Sequence, residues 1–521
     1  MSICMWSALS AVIMASFARP IHASDSTAFQ RIPAVAVLAD EAATRPDYPP
    51  QSEGVLPAMN LDEDVEQRYV SPGSGEALPE VTAEDDARLQ QQSLPGRTAF
   101  SVPGVYGDYD AEIRESAPRS DGIRHIDTPK LLKRLQEGYI RTYAYLIWHE
   151  ATDWDDLRLE FLPAAQKAGI TVWVYLTPPS EGSSLPFGSD YVKWATEIAK
   201  LSKKYPVLKA FAMDDFENDQ NLFTPQYVEE MMKAAHSISP TLAFLPVNYD
   251  GSVNSSKPTT TLSTAFTRNY GSLINGVIFP YLNWQNYDSL SDEKDQIVTN
   301  YNILHGKKDQ FVVRFPWNRL SSEGDYSALS KTISRPVVPY YFAFRVSDDY
   351  DGPTAGYHKL QVLVDNKVIW EDDTGGRSGV RYVKLNLKSS LWGKKKAVLL
   401  TVRVFEAKPV GNYGIVVNWD LPTGTWKSEE KGSFAGTGEY YSAIKGLKIP
   451  LIVMIYDGGY GGSWFPSLDY IQKANITACE AIRAGYAQGI IQYVLDKSDN
   501  SVQFPIIKKL YRARQCQPFP P

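Results

Sequence analysis

The run FAMDDFENDQ, residues 211–220, sets Asp214, Asp215, Glu217 and Asp219 directly behind a short apolar stretch. Like charges this close repel, so the run is a solvated turn, a helix cap or a place where carboxyls hold protons tightly. Capping is already provided further on, where Thr224 and Pro225 open the amphipathic segment TPQYVEEMMKAAHSI (224–238). If residues 210–215 form a strand, Ala210, Ala212 and Asp214 share one face and Phe211 and Met213 the other. Two adjacent carboxyls facing one pocket raise at least one proton affinity, as transfer to a leaving group requires. Asp214 and Asp215 are therefore the candidate catalytic pair; a structural or purely ligand-binding role is the plainer alternative. Glu217 and Asp219 fall in the loop beyond, where solvent or substrate hydroxyls account for them.

The elements that would position this pair recur along the chain. Short apolar runs end at VPGVYGD (102–108), YAYLIWHE (143–150), TVWVYLTP (171–178), AFAMDD (210–215), LAFLPVNYD (242–250) and GVIFPYLNW (276–284). Helix-period segments such as TPKLLKRLQEGY (128–139) and DYVKWATEIAKLSKKY (190–205) alternate with them. Residues 309–430 then read as β-runs separated by turns, without an intervening helix period, which is a β-sandwich pattern. The alternation resumes with IPLIVMIYDGG (449–459) and QGIIQYVLD (488–496), bringing the strands of the first kind to eight. The expected fold is an α/β (β/α)₈ barrel, in residues 99–308 and 431–521, with a β-sandwich inserted between its sixth and seventh strands. An open doubly wound sheet is the alternative, disfavoured because no Gly-rich phosphate loop follows a strand.

Barrel active sites lie at the C-terminal ends of the strands. Those ends supply Asp108, then His149 and Glu150, then Glu181, and on the fifth strand Asn248, Tyr249 and Asp250. Tyr281 and Trp284 follow on the sixth strand, Tyr456 and Asp457 on the seventh, and Gln492 and Tyr493 on the eighth. Rings stack on sugar faces, amides and carboxylates bind hydroxyls, and a carboxyl pair breaks a glycosidic bond. Glu217 is counted with these binding candidates, as is Trp464 on the glycine-rich loop YDGGYGGSWFP (456–466). Each has a plainer reading: Asp108 in a turn with Gly107, His149 and Glu150 bonded within their own loop, the glycines merely turning the chain. Three sandwich tryptophans, Trp370, Trp392 and Trp419, leave open whether the insert binds glycan or only buttresses the barrel.

The sequence FAMDDF after the fourth strand resembles the paired-carboxylate motif of barrel glycosidases that hydrolyse N-acetylhexosaminides by substrate assistance. The resemblance implies that Asp214 orients the acetamido group and that Asp215 is the general acid/base; Tyr281 is assigned to the acetamido oxygen from its position on the sixth strand alone. It covers only this motif and the barrel layout. The chitinase-type DxxDxDxE spacing is absent from LKAFAMDDFE (208–217). A direct mechanism would instead set Asp215 against Asp457 or Asp250, retaining or inverting according to their separation. A carbohydrate-binding or polysaccharide-assembly protein without catalysis, or a polysaccharide lyase, are the competing functions.

Composition narrows the rest. The net charge of −7 resides in residues 24–98, with 14 Asp/Glu against 5 Lys/Arg, so the remainder is near neutral and lacks the basic stripe of a nucleic-acid partner. That acidic segment, rich in Pro, Gln and Ala, reads as a disordered leader. Residues 1–23 open on an uncharged, largely apolar stretch, Met1 to Ala18, followed by a cleavage-site pattern IHA (21–23), which reads as a secretory signal and places the protein outside the cytoplasm, secreted or periplasmic. No later run is long enough for a membrane span. Three Cys and 6 His show no metal-site spacing, so neither metal nor other cofactor is expected, and a carbohydrate is the expected partner. Cys479 and Cys516 are either bonded to each other or buried thiols. Oligomeric state leaves no trace in the sequence.

Overall fold

The computed structural model describes residues 105–512, apart from 111, 149, 250–261, 282–289, 316–321, 336–339, 351–353, 376–378, 389–391, 393–394, 410–414, 433–435 and 458–465. The chain enters with six strands: β1 (Val105–Tyr109), β2 (Thr142–Ile147), β3 (Thr171–Leu176), β4 (Leu208–Met213), β5 (Ala243–Pro246) and β6 (Val277–Tyr281). Strands β7 to β16 run between Lys308 and Tyr441, and β17 (Leu451–Tyr456) and β18 (Gly489–Tyr493) follow. One eight-stranded parallel sheet has the order β5-β4-β3-β2-β1-β18-β17-β6. Its two edges meet through a parallel bridge between Val247 and Ile278, with Asn248 N donating to Ile278 O at 3.0 Å. The sheet thus curls into a (β/α)₈ barrel.

Residue size follows strand phase around this barrel. Ala144, Ala210, Ala212 and Ala243 point to the axis, where Trp173, Leu245, Met454 and Ile491 fill the space between them. Phe211, Met213, Val172 and Val174 face the helices instead. Small residues beside a few large ones fit a crowded axis, and broad apolar ones fit beneath a helix. The alternation expected for residues 210–213 is the one observed.

The outer layer comprises α1 (Thr128–Glu137), α2 (Asp153–Asp156), α3 (Leu162–Ala168), α4 (Tyr191–Lys204) and α5 (Pro225–His236), then α6 (Thr264–Tyr270), α7 (Leu290–Leu304), α8 (Leu468–Arg483) and α9 (Phe504–Arg512). Thr224 caps α5 by accepting from Tyr227 N at 3.2 Å, as the sequence indicates. The helical stretch from Asp153 to Ala168 is broken by a π-turn at Leu157–Phe161. Pro163 explains it: with no N–H to offer, it cannot continue the ordinary ladder, and Leu162 N reaches Leu157 O instead. Among the described residues no helix is long and apolar enough to cross a membrane.

Strands β7 to β16 form two five-stranded antiparallel sheets around their own apolar core. Trp392 and Trp419 are buried in that core and Trp370 packs against it. Burial of Trp392 and Trp419 favours the buttress of the two readings for these residues, while Trp370 is half-buried. The sandwich is tied to the barrel by α6. Thr264 N donates to Gln310 Oε1 at 2.9 Å and Arg268 Nη1 to Ser442 O at 2.9 Å. Gln310 in turn donates to Asp420, which also receives Arg345 at 2.9 Å, carrying the joint into the sheet. Cys479, on α8, is disulfide-bonded; Cys516 lies outside the described residues.

Candidate active site

Three strands end alike at the mouth of the barrel. Tyr109, Asp214 and Tyr493 each take an inward position, and each is followed by a non-glycine residue with positive φ: Asp110 at 58°, Asp215 at 36° and Val494 at 59°. This backbone region is uncommon for Asp and a genuine outlier for a β-branched residue, so surrounding contacts must hold it. One such contact is Val494 N donating to Tyr109 O at 3.0 Å. The chain stops climbing at these points and turns aside, leaving the last inward side chain facing the cavity.

Asp214 is 8% exposed. Its Oδ1 accepts the backbone N–H of Asp215 at 2.9 Å. Burial, then the charge of Asp215, pushes its carboxyl up to about 7, against the opposing pull of the Tyr175 hydroxyl and that backbone donor. Asp215 is half-buried, and its Oδ2 accepts from Asn218 Nδ2 at 3.0 Å. Burial raises its proton affinity too, while donors from Tyr249 and Asn218 work in the other direction. No Lys, Arg or His among the described residues contributes to either shift.

Around the pair runs a wall of tyrosines. Tyr175 (β3) packs on Tyr109 (β1) with ring centroids 4.1 Å apart, and Tyr109 meets Tyr493 (β18) at 5.2 Å. Tyr493 stacks on Tyr456 (β17) at 4.2 Å. Tyr249, just past β5, is half-buried and reaches Asp215 from the other side. Flat rings with polar tips, set around carboxyls, suit a ligand that alternates apolar faces with hydroxyls.

Glu181 comes from the loop after β3. It closes a 3₁₀ turn, Pro179–Glu181, fixed from two directions. Trp148 Nε1 donates to Glu181 O at 3.0 Å. Asp219 of the β4 loop accepts from Ser180 N at 3.1 Å and from Ser180 Oγ at 2.5 Å. Burial and the charges of Asp214, Asp215, Asp219 and Glu217 push Glu181 up to about 9. Asp219 is thus a loop tether, half-buried at the rim. Glu217 is half-buried, and burial with Asp215 beside it raises its proton affinity well above the usual range. Among the described residues no group of His, Cys, Asp or Glu is arranged to hold a metal ion.

Several residues expected at this site are placed elsewhere. Asp108 is fully buried on the outward face of β1 and accepts from Lys497 Nζ at 2.6 Å. Asp457 and Gln492 also point outward, into the helix layer, and both are fully buried. There Gln492 Nε2 donates to Asn475 Oδ1 at 2.8 Å and to the Tyr511 hydroxyl at 2.6 Å, and that hydroxyl donates to Gly107 O at 2.9 Å. Asn248 is fully buried at the β5–β6 closure, one position out of phase with the cavity. The cause is common to all four: strand phase alternates, and the last residue of an apolar run is as often outward as inward. Glu150 is half-buried, its backbone bonded to Asp153 at the start of α2. Tyr456 is where the sequence puts it. His149, Asp250, Trp284 and Trp464 lie outside the described residues, as does the side chain of Tyr281.

Tyr109 and Tyr175 are missed by a reading of strand ends alone. Counting back in steps of two from Asp214 on β4, and across the parallel register from Ala212 to Tyr175, would have found the latter.

No protein-family model matches the chain, and no curated protein matches it. Among solved structures it is similar to the spore cortex-lytic enzyme SleL of Bacillus megaterium QM B1551, at a TM-score of 0.32 and 7% identity over 79% of this chain and 73% of that one. It is also similar to β-1,4-D-mannanase from Cryptopygus antarcticus, at 0.21 and 11% over 29% of this chain and 58% of that one. A third is D-psicose 3-epimerase from Clostridium cellulolyticum H10, at 0.22 and 12% over 36% and 68%. The match spans little more than half of the mannanase's own length. Likenesses this slight leave the function of this chain to its own site.

Proposed function

We propose that this chain is a glycoside hydrolase, cleaving a polysaccharide or oligosaccharide outside the cytoplasm by carboxylate catalysis. The observation that carries the reading is the Asp214–Asp215 pair at the end of β4, enclosed by Tyr109, Tyr175, Tyr249, Tyr456 and Tyr493. Hydrolysis of a glycosidic bond needs a carboxylate and a proton-holding carboxyl near the same carbon. Neighbouring acids that share a pocket without a cation divide into such roles, because they cannot all ionise together.

In the substrate-assisted form, Asp214 accepts the acetamido N–H while the acetamido oxygen attacks the anomeric carbon. Tyr175 and the Asp215 N–H support this role, since both stabilise the Asp214 anion. In the direct form, a carboxylate of the pair attacks or activates water. Asp457 does not serve as its partner, being buried behind β17. The test is hydrolysis of a glycan panel by wild type and Asp215→Asn. Cleavage by wild type that the variant lacks supports the reading. Equal cleavage by both removes Asp215, and binding of a glycan without cleavage favours a lectin-like protein. Products absorbing in the ultraviolet indicate a lyase.

A further inference from the structure

The pair needs a partner that gives a proton to the leaving oxygen. The motif resemblance assigns that role to Asp215, whose carboxyl is raised by burial. Asn218 Nδ2 donates to its Oδ2 at 3.0 Å, and this donor and the Tyr249 hydroxyl work against that rise. A carboxyl that accepts such donors holds its proton less tightly than an equally buried one that accepts none.

We propose that Glu181 is the general acid of the reaction. This rests on the hydrolase reading above. Three features of its setting carry it. Its turn is anchored at Trp148 on one side and at Asp219 on the other, so the loops after β2, β3 and β4 are tied together around it. Among the described residues no side chain donates a hydrogen bond to its carboxyl, whereas Asp214 and Asp215 each have donors. Burial holds the proton on its carboxyl, and the acidic neighbours Asp214, Asp215, Asp219 and Glu217 add to that. In the step itself, the Glu181 proton passes to the glycosidic oxygen as the bond from that oxygen to the anomeric carbon breaks. Glu181, now anionic, then takes the proton of the water whose oxygen adds to that carbon.

An acid/base residue has a signature that a structural one lacks: its loss matters only where the leaving group needs a proton. Wild type, Glu181→Gln, Glu181→Asp and Asp215→Asn are assayed on di-N-acetylchitobiose, cellobiose and mannobiose and on the matching dinitrophenyl glycosides. Glu181→Gln should lower kcat/KM on the cleaved disaccharide by about 10²–10⁴-fold. On its dinitrophenyl counterpart, whose leaving group departs unprotonated, it should change far less. The alkaline limb of the pH–rate profile should vanish in the same variant, and Glu181→Asp should restore part of the disaccharide activity. Equal losses on both leaving groups, or none on either, overturn the assignment while Asp215→Asn remains inactive. If wild type cleaves no probe, or Asp215→Asn matches it, the hydrolase reading falls and this inference with it.

Discussion

The backbone N–H of Asp215 donates to Asp214 Oδ1 at 2.9 Å, and the residue making that bond holds φ at +36°. The left-handed turn is what lets adjacent residues both present their carboxyls to one cavity; in a continuing strand they would point to opposite faces. Asp tolerates this region better than most residues, and Asn as well or better. Asp214→Asn and Asp215→Asn should therefore fold as wild type does, with near-identical melting temperatures, and lose glycan hydrolysis by on the order of 10²–10⁴-fold. Asp215→Val is the contrast, placing a β-branched residue at positive φ; its melting temperature should drop clearly. A normal melt for that variant would show that the turn is not strained.

Tyr175 tempers the proton affinity of Asp214. Its hydroxyl pulls Asp214 down against burial and the Asp215 charge, leaving it at about 7. Removing the donor in Tyr175→Phe should move Asp214 further up. If the Asp214 anion is the working form, activity rises with pH as the pair loses its proton, and the acid limb lies near 7. The variant's acid limb should then move to higher pH, while the alkaline limb set by Glu181 at about 9 stays. Profiles of kcat/KM against pH decide it: an unmoved or acid-shifted limb means that Tyr175 does not act on the titrating pair.

Much of this was legible in the sequence. Eight apolar runs alternating with helix-period segments gave the barrel, and the Ala210, Ala212, Asp214 alternation gave the facing of the pair. Where sequence reasoning failed, phase was the cause. Asp108, Asp457 and Gln492 stand at strand ends like Asp214, but one residue out of step, and a polar residue facing the helices looks no different from one facing the cavity. Their partners, Lys497, Asn475 and Tyr511, come from the last segments of the chain. No local pattern announces a buried polar network assembled over such separations. The tyrosine wall was hidden for the opposite reason: tyrosine is so frequent here, with 31 in the chain, that position alone distinguishes Tyr109 and Tyr175.

Asp457 offers a test of that network. Burial, and then the neighbouring Asp108, drives its carboxyl well above the ordinary 3.8. The Gln492 amide lies 2.6 Å from its Oδ2, within hydrogen-bond reach of the carboxyl. A folded-state value raised above the unfolded one makes a contribution that is complete below the unfolded value and is lost as pH climbs toward the folded one. Asp457→Asn stays uncharged at every pH. Its melting temperature should match wild type near pH 4 and exceed it increasingly through neutral pH. A variant less stable than wild type at pH 7 would mean that Asp457 is ionised and paired.

The last expectation concerns a carboxyl with no role in the site. Glu293 on α7 is fully buried, and among the described residues neither of its carboxylate oxygens has a partner; Asn300, on the same helix, is likewise buried with both amide atoms unbonded among the described residues. Desolvation alone pushes Glu293 well above the usual carboxylate range, so at neutral pH folding requires it to take up a proton. A buried polar group left unsatisfied costs about 1–3 kcal/mol. Methionine has a similar length and no polar oxygen, and it adapts to irregular gaps. Glu293→Met should therefore raise the urea midpoint at pH 7 with an unchanged m-value, and the gain should shrink toward pH 4, where the carboxyl is neutral in the unfolded chain too. Substituting Asn300→Leu in the same background should add to it only in part, because the two side chains lie on one buried face and share the space between α7 and the barrel. A lowered midpoint for Glu293→Met would show that Glu293 is bonded in solution and that this face of α7 is a satisfied polar contact.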